Sequence, residues 1–179
     1  MARPAAVSAG DAALASWAEA ALDYVDEIDA KVKTIWLMPH VVQGTGAVLS
    51  AGATGDFSGS SFADPQDDNV RFVVPIPSDF STLTKAVVVV LPAGTGDMYR
   101  DVTTDFAATG EAYNTHSDSI AKTAVGVTNG QIFDDDISAA FTGIAAGDRV
   151  GVVYKRWGAD ALDTVGTTVY VLGLLLEYT

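Results

Sequence analysis

Four consecutive valines, Val87-Val88-Val89-Val90, stand between Ala86 and Leu91-Pro92. β-Branched side chains lose rotamer freedom in a helix and pack well on a pleated surface, so this run predicts a strand. Neighbouring side chains of a strand point to opposite faces, and an unbroken apolar run therefore needs cover on both. The turn segment Pro92-Ala93-Gly94-Thr95-Gly96-Asp97 closes it. Comparable runs recur at 70–76, 98–106, 120–127, 131–133, 149–154 and 167–178. In the last of these, Val169-Tyr170-Val171 and the central Gly173 favour strand over the helix that Leu174-Leu175-Leu176 alone would suggest. Such spacing predicts an antiparallel β-sandwich, and no long helix alternates with the strands to build a doubly wound α/β fold.

The chain has 179 residues, enough for one domain with an appendage. Its 49% apolar and 18% charged residues describe a packed globule rather than a disordered chain. A net charge of −13 argues against gripping a nucleic-acid backbone. No apolar run approaches the ~20 residues of a membrane-spanning helix. No secretory signal is visible at Met1-Ala2-Arg3-Pro4, and the lack of cysteine excludes disulfides, zinc thiolates and thiol nucleophiles.

Residues 11–35 differ from the rest. They hold no Gly or Pro, and Leu14, Ala18, Ala21, Val25, Ile28, Val32 and Ile35 recur at alternating spacings of four and three. This predicts an N-terminal α-helix with a heptad seam, its opposite face carrying Glu19, Asp23, Asp26 and Lys33. Two packings are open to it: against its own domain, or in a parallel trimeric bundle favoured by the β-branched lower seam. The organisation expected is a helix over 1–38, an extended connector over 39–69 and a β-sandwich over 70–179. Within the connector, 58–69 reads as a loop.

Catalytic constellations are scarce. His116, Ser117 and Asp118 invite comparison with a triad, but adjacent residues of extended chain point apart and cannot converge. Asp134-Asp135-Asp136 and the run Asp64-Pro65-Gln66-Asp67-Asp68 offer oxygen ligands without EF-hand spacing, and read first as turns or helix caps. A short helical turn over 137–141, capped by the aspartates and stopped by Gly143, fits that use. Arg149 with Lys155-Arg156-Trp157 forms a small basic cluster suited to ion pairing or to an acidic partner surface. Trp157 and Tyr113 are candidate platforms for stacking on sugar rings. No catalytic residue, cofactor or metal site is expected.

Residues 70–179, about sixty per cent of the chain, resemble a family of jelly-roll domains in structural proteins of tailed bacteriophages. The resemblance lies in Val88-Val89-Val90-Leu91-Pro92, in the stretch Thr103-Thr104-Asp105-Phe106-Ala107-Ala108-Thr109-Gly110-Glu111-Ala112-Tyr113-Asn114-Thr115-His116, and in Asp136-Ile137-Ser138-Ala139-Ala140. It continues through Ala145-Ala146-Gly147-Asp148-Arg149-Val150-Gly151 and Val169-Tyr170-Val171-Leu172-Gly173-Leu174. It implies a jelly-roll sandwich and a non-enzymatic virion protein. The role expected first is a homotrimeric capsid decoration (cement) protein on the outer capsid surface, binding the major capsid protein, with no nucleic-acid or membrane partner. The alternative is a head-fibre or tail-fibre module that recognises host-surface glycans. The cement reading assigns Leu14, Ala18, Ala21, Val25, Ile28, Val32 and Ile35 to the trimer interface. It also makes the loops at 92–97 and 110–118 candidate contact surfaces.

Overall fold

The computed structural model describes residues 31–40, 48–51 and 55–179. The described residues are mainly β, with ten strands in two antiparallel sheets. In chain order they are β1 (Lys33–Leu37), β2 (Val48–Ala51), β3 (Ser58–Phe62), β4 (Asp67–Pro75) and β5 (Leu83–Pro92). They continue as β6 (Gly96–Ala107), β7 (His116–Val127), β8 (Phe133–Asp136), β9 (Arg149–Trp157) and β10 (Val169–Tyr178). One sheet runs β2-β3-β10-β5-β8, with β1 also on β10, and the other runs β4-β9-β6-β7. Strand pairs β3·β10, β4·β9, β5·β8 and β6·β7 nest inside one another, which is jelly-roll connectivity.

The inner faces meet in one core that includes Phe62, Phe72, Met98, Val102, Phe106, Tyr154, Leu174 and Leu176. Alternation in β4 and β9 is regular: Val70, Phe72 and Val74 point inward, as do Val150, Val152 and Tyr154. The expectation for the valine run holds. Val88 and Val90 enter the main core, while Val87 and Val89 join Leu91, Tyr170 and Leu172 in a second apolar cluster on the outer side of their sheet. The turn expected near 137–141 is a 3-10 helix, Ser138–Phe141, with the Ser138 N–H donating to Asp136 Oδ1 at 2.9 Å.

Several expectations need correction. The helix does not extend through 33–37: this segment is β1, antiparallel to the end of β10 with Ile35 opposite Leu176. Ile35 and Leu37 pack against the main core, so Ile35 is not a seam residue. Val32, another expected seam residue, is 55% exposed and precedes the strand. Leu14, Ala18, Ala21, Val25 and Ile28 lie outside the described residues. The sandwich also begins earlier than residue 70, because β1, β2 and β3 belong to its sheet and β4 starts at Asp67. β3 replaces part of the expected loop; its sequence SGSSF has little apolar signal, and pairing to Val169–Val171 of β10 fixes it.

Gly173 shows how β1 docks. A Cβ at this position would run into the Trp36 indole and the Leu37 carbonyl, so only glycine lets Trp36 lie across β10. The register between β10 and β5 shifts between Val171 and Gly173, and this bulge turns Leu172 outward while Val171 and Leu174 stay in the core.

Candidate functional site

Two buried arginines hold the sheets together. Arg100 of β6 forms a two-pronged pair with Asp135 of β8, and the Tyr154 hydroxyl donates to the same carboxylate at 2.8 Å. Burial drives the Tyr154 hydroxyl well above the usual tyrosine range, and the charge of Asp135 pushes the same way. Arg156 makes a second two-pronged pair with Asp163 at 2.7 and 2.9 Å, and donates to the carbonyls of Phe62 and Thr167. Both arginines are paired with carboxylates inside the fold and shut off from solvent, with Arg100 Nη1 the one guanidinium nitrogen left without a partner. They are joints, not a reactive site.

The expected acidic clusters come apart in the same way. Asp134 pairs with Lys85 at 2.9 Å, Asp135 is buried beneath Arg100, and Asp136 caps the 3-10 helix. In the earlier run, Asp67 accepts from the Ala159 N–H, while the buried Asp68 accepts from the Ala63 N–H. Among the described residues, no group of three or more His, Asp or Glu side chains is arranged to hold a metal ion. His116 stacks on Phe106 at 5.4 Å between ring centroids. Asp118 meanwhile accepts from the backbone N–H groups of Ser119 and Thr142, bonds that hold its carboxyl below the usual range. His116 and Asp118 therefore serve different neighbours.

The outward face of β4-β9-β6 is different. Three cross-strand rows lie side by side: Arg71–Val153–Thr103, then Val73–Gly151–Asp105, then Pro75–Arg149–Ala107. Strand alternation that sends Phe72, Val150 and Val152 into the core sends these residues out. The turn beyond β6 rises beside them and forms a wall. It is braced by the Ala108 N–H donating to Glu111 Oε2 at 2.9 Å and by the Thr115 N–H donating to the Ala112 carbonyl at 3.0 Å.

Between floor and wall runs a groove of about 500 Å³, lined by Arg71, Val73, Thr103, Asp105, Glu111, Tyr113, Arg149 and Gly151 among others. That size suits a small ligand. Tyr113 is 77% exposed, so its ring is available to a ligand. Gly151 leaves the middle of the floor low: a Cβ there would meet only the Asp105 carbonyl, at 3.8 Å. Two guanidinium groups and two carboxylates balance in formal charge, although the whole chain carries −13.

Trp157, the other aromatic singled out from sequence, is not such a platform. The ammonium groups of Lys122 and Lys155 each sit 3.1 Å from its ring centroid, and its Nε1–H donates to Asp101 at 2.9 Å. The basic cluster is thereby divided: Lys155 lies on Trp157, Arg156 is buried, and Arg149 alone reaches the groove. Sequence reasoning named Tyr113 and Arg149. It missed Arg71, Thr103, Asp105 and Gly151, which are brought together only by cross-strand register.

Fold and site together define a jelly-roll β-sandwich with an aromatic-edged groove across one sheet, its lining a mixture of apolar and charged side chains. No protein-family model matches the chain, and no curated protein matches it. Among solved structures it is similar to the carbohydrate-binding module TmCBM61 in complex with β-1,4-galactotriose, at 10% identity over 84% of this chain and 90% of that one, with a TM-score of 0.41. It is also similar to the family 11 carbohydrate-binding module from Clostridium thermocellum in complex with a β-1,3-1,4-mixed-linked tetrasaccharide. There the identity is 10%, the coverage 82% and 88%, and the TM-score 0.44. A third is the enzymatically active domain of bacteriophage CBA120 tailspike protein 4, at 10% identity over 82% of this chain and 19% of that one, with a TM-score of 0.35.

Proposed function

We propose that this chain is a non-enzymatic glycan-recognition module, and that the groove over β4-β9-β6 holds an uncharged oligosaccharide. The observation that carries this reading is the composition of the groove. A sugar ring offers an apolar C–H face and a rim of hydroxyls that both donate and accept. Tyr113 supplies a flat apolar partner for the first. Arg71 and Arg149 supply donors for the second, Asp105 and Glu111 supply acceptors, and Thr103 does both. A strongly anionic ligand would meet Asp105 and Glu111, and a cationic one would meet the arginines. A neutral polyol fits all four.

Among the roles implied by the phage structural family that residues 70–179 resemble, this reading favours a fibre-type module that recognises host-surface glycans over a capsid cement. No feature of the groove suits a flat lattice contact better than a saccharide. A glycan array followed by titration calorimetry tests the proposal. The wild type should bind a neutral oligosaccharide. Tyr113→Ala should weaken that binding about tenfold or more, as loss of an aromatic anchor does. Gly151→Val, which raises the floor without disturbing the sheet, should abolish it. Absence of binding to every neutral glycan, or unchanged affinity in both variants, contradicts the proposal.

A further inference from the structure

The sheet face that floors the groove continues past it to two lysines that the groove does not use. Among the described residues, Lys33, Lys85, Arg100 and Arg156 each pair with a carboxylate, as suits a chain with 23 acidic and 10 basic residues. Lys122 and Lys155 have no carboxylate within ion-pair distance among those residues. Instead both ammonium groups lie on the Trp157 ring, each 3.1 Å from its centroid. Two like charges are thus held within about twice that distance of each other, and the indole offsets only part of their repulsion. Asp101, opposite Lys155 in register, accepts from Trp157 Nε1, and Asp67, opposite Trp157, accepts from the Ala159 N–H.

We infer that Lys122 and Lys155 form a subsite for one anionic group, a carboxylate or a sulfate, on the glycan unit that leaves the groove. The inference rests on the groove being a glycan site, and the units inside the groove stay neutral.

The backbone aims Lys122 at this point. β6 and β7 fall out of register between Arg100 and Val102, so that Ala121 and Lys122 both stand against Asp101. Ile120 packs on the core, and plain alternation from it would turn Lys122 inward. The bulge re-aims that side chain onto the outer face. Trp157, tied to Asp101, then holds both lysines in place before a ligand arrives, which lowers the ordering cost of binding.

Position supplies the second argument. The row Asn69–Lys155–Asp101 follows directly on the groove row Arg71–Val153–Thr103. Lys155 lies about 13 Å along β9 from Gly151, at the usual rise per strand residue. The turn that carries Tyr113 stands at the other end, beyond Ala107. An oligosaccharide lying along β9 therefore leaves the groove over Lys155.

A glycan array of matched pairs, each a neutral oligosaccharide and its sialylated or sulfated counterpart, tests this, with calorimetry on the best pair. The wild type should bind an acid-bearing member about tenfold or more tighter than its neutral counterpart, and the gain should shrink as salt is raised. Whether the sialylated or the sulfated member gains tells which acid the subsite takes. In the double variant Lys122→Met, Lys155→Met, which keeps apolar stems on Trp157, the gain should vanish while the neutral affinity stays. Ile132→Asp adds a negative charge on the far side of the sandwich, beside Val89 and Leu172, and should keep the gain. If neutral members bind and no acid-bearing one binds tighter, this inference fails and the glycan reading stands. A gain that survives in the double variant also overturns it, because the acid is then held by Arg71 or Arg149. Absence of binding to any glycan overturns both.

Discussion

The two outer faces of this sandwich are built from the same kind of strand and are put to opposite uses. Across β4-β9-β6, outward positions carry Arg71, Val73, Thr103, Asp105, Arg149 and Gly151, and water reaches most of them. Across β10 and β5 they carry Leu91, Val89, Val87, Tyr170 and Leu172, and water reaches very little. Strand geometry alone makes no such distinction; both sheets send alternate side chains outward. The difference lies in the second half of each two-residue repeat. Where it is polar, the face is free to meet a solvated ligand such as a sugar. Where it is apolar, the face needs protein over it.

The joint between the two sheets gives the largest expected effect. Asp135→Ala removes the carboxylate that pairs Arg100 and accepts from Tyr154, leaving a guanidinium buried with no counter-charge. Breaking one side of a buried pair costs about 3–5 kcal/mol, readable as a fall in the urea midpoint. If the loss stays below about 1 kcal/mol, Arg100 is reaching water and the joint is not closed.

Two glycines sharpen the contrast between the faces. On the apolar side, Gly173→Ala drives a methyl group into Trp36 and should cost about 1–3 kcal/mol, with increased exchange in β1. On the polar side, the Cβ of Gly151→Val meets only the Asp105 carbonyl at ordinary contact distance and valine suits a strand, so its stability should stay within about 0.5 kcal/mol of the wild type while ligand binding is lost. Equal destabilisation by both would remove the distinction drawn here.

A smaller effect depends on pH. Burial raises the Asp68 carboxyl above the usual range, with the Ala63 N–H and the charge of Arg156 pulling the other way. The folded chain thus holds the Asp68 proton more tightly than the unfolded one. The associated stability is complete in acid, below the unfolded carboxylate range, and is lost as pH rises through the folded value. Asp68→Asn, which never ionises, should accordingly gain on the wild type as pH rises from the unfolded carboxylate range through the folded value. Asp118 and Asp136 are held low by the Ser119 and Ser138 amides and so lose their contribution as pH falls, but they are common to both proteins and cancel in the difference. A variant that loses ground as pH rises contradicts this account of Asp68.

Much of the sandwich was legible in the sequence because its signal is local. The valine run, the turn at Pro92 to Asp97 and the alternation of β9 each announce themselves within a few residues. β1 was not, because Val32 and Ile35 continue a helical spacing while Lys33, Ile35 and Leu37 fit a strand equally well. Pairing with Tyr178 through Leu174 decides between the two, and that partner is far away in sequence. Arg100 hid for a related reason: an arginine in a strand reads as exposed until Asp135 arrives from β8 to neutralise it. Of the groove, Tyr113 and Arg149 were visible as residue types, but their convergence with Arg71 and Asp105 depends on the register of three strands. The bacteriophage resemblance suggested the jelly roll correctly in outline. The helical seam expected at the N-terminus does not run through Ile35, which lies in β1.

Calorimetric titration of a neutral oligosaccharide against the wild type, Tyr113→Ala and Ile132→Asp tests the division of labour most directly. The account predicts that Tyr113→Ala loses about tenfold or more in affinity with its fold intact, and that Ile132→Asp, on the far side, binds like the wild type. Equal affinity for all three proteins, or a loss confined to Ile132→Asp, would contradict it.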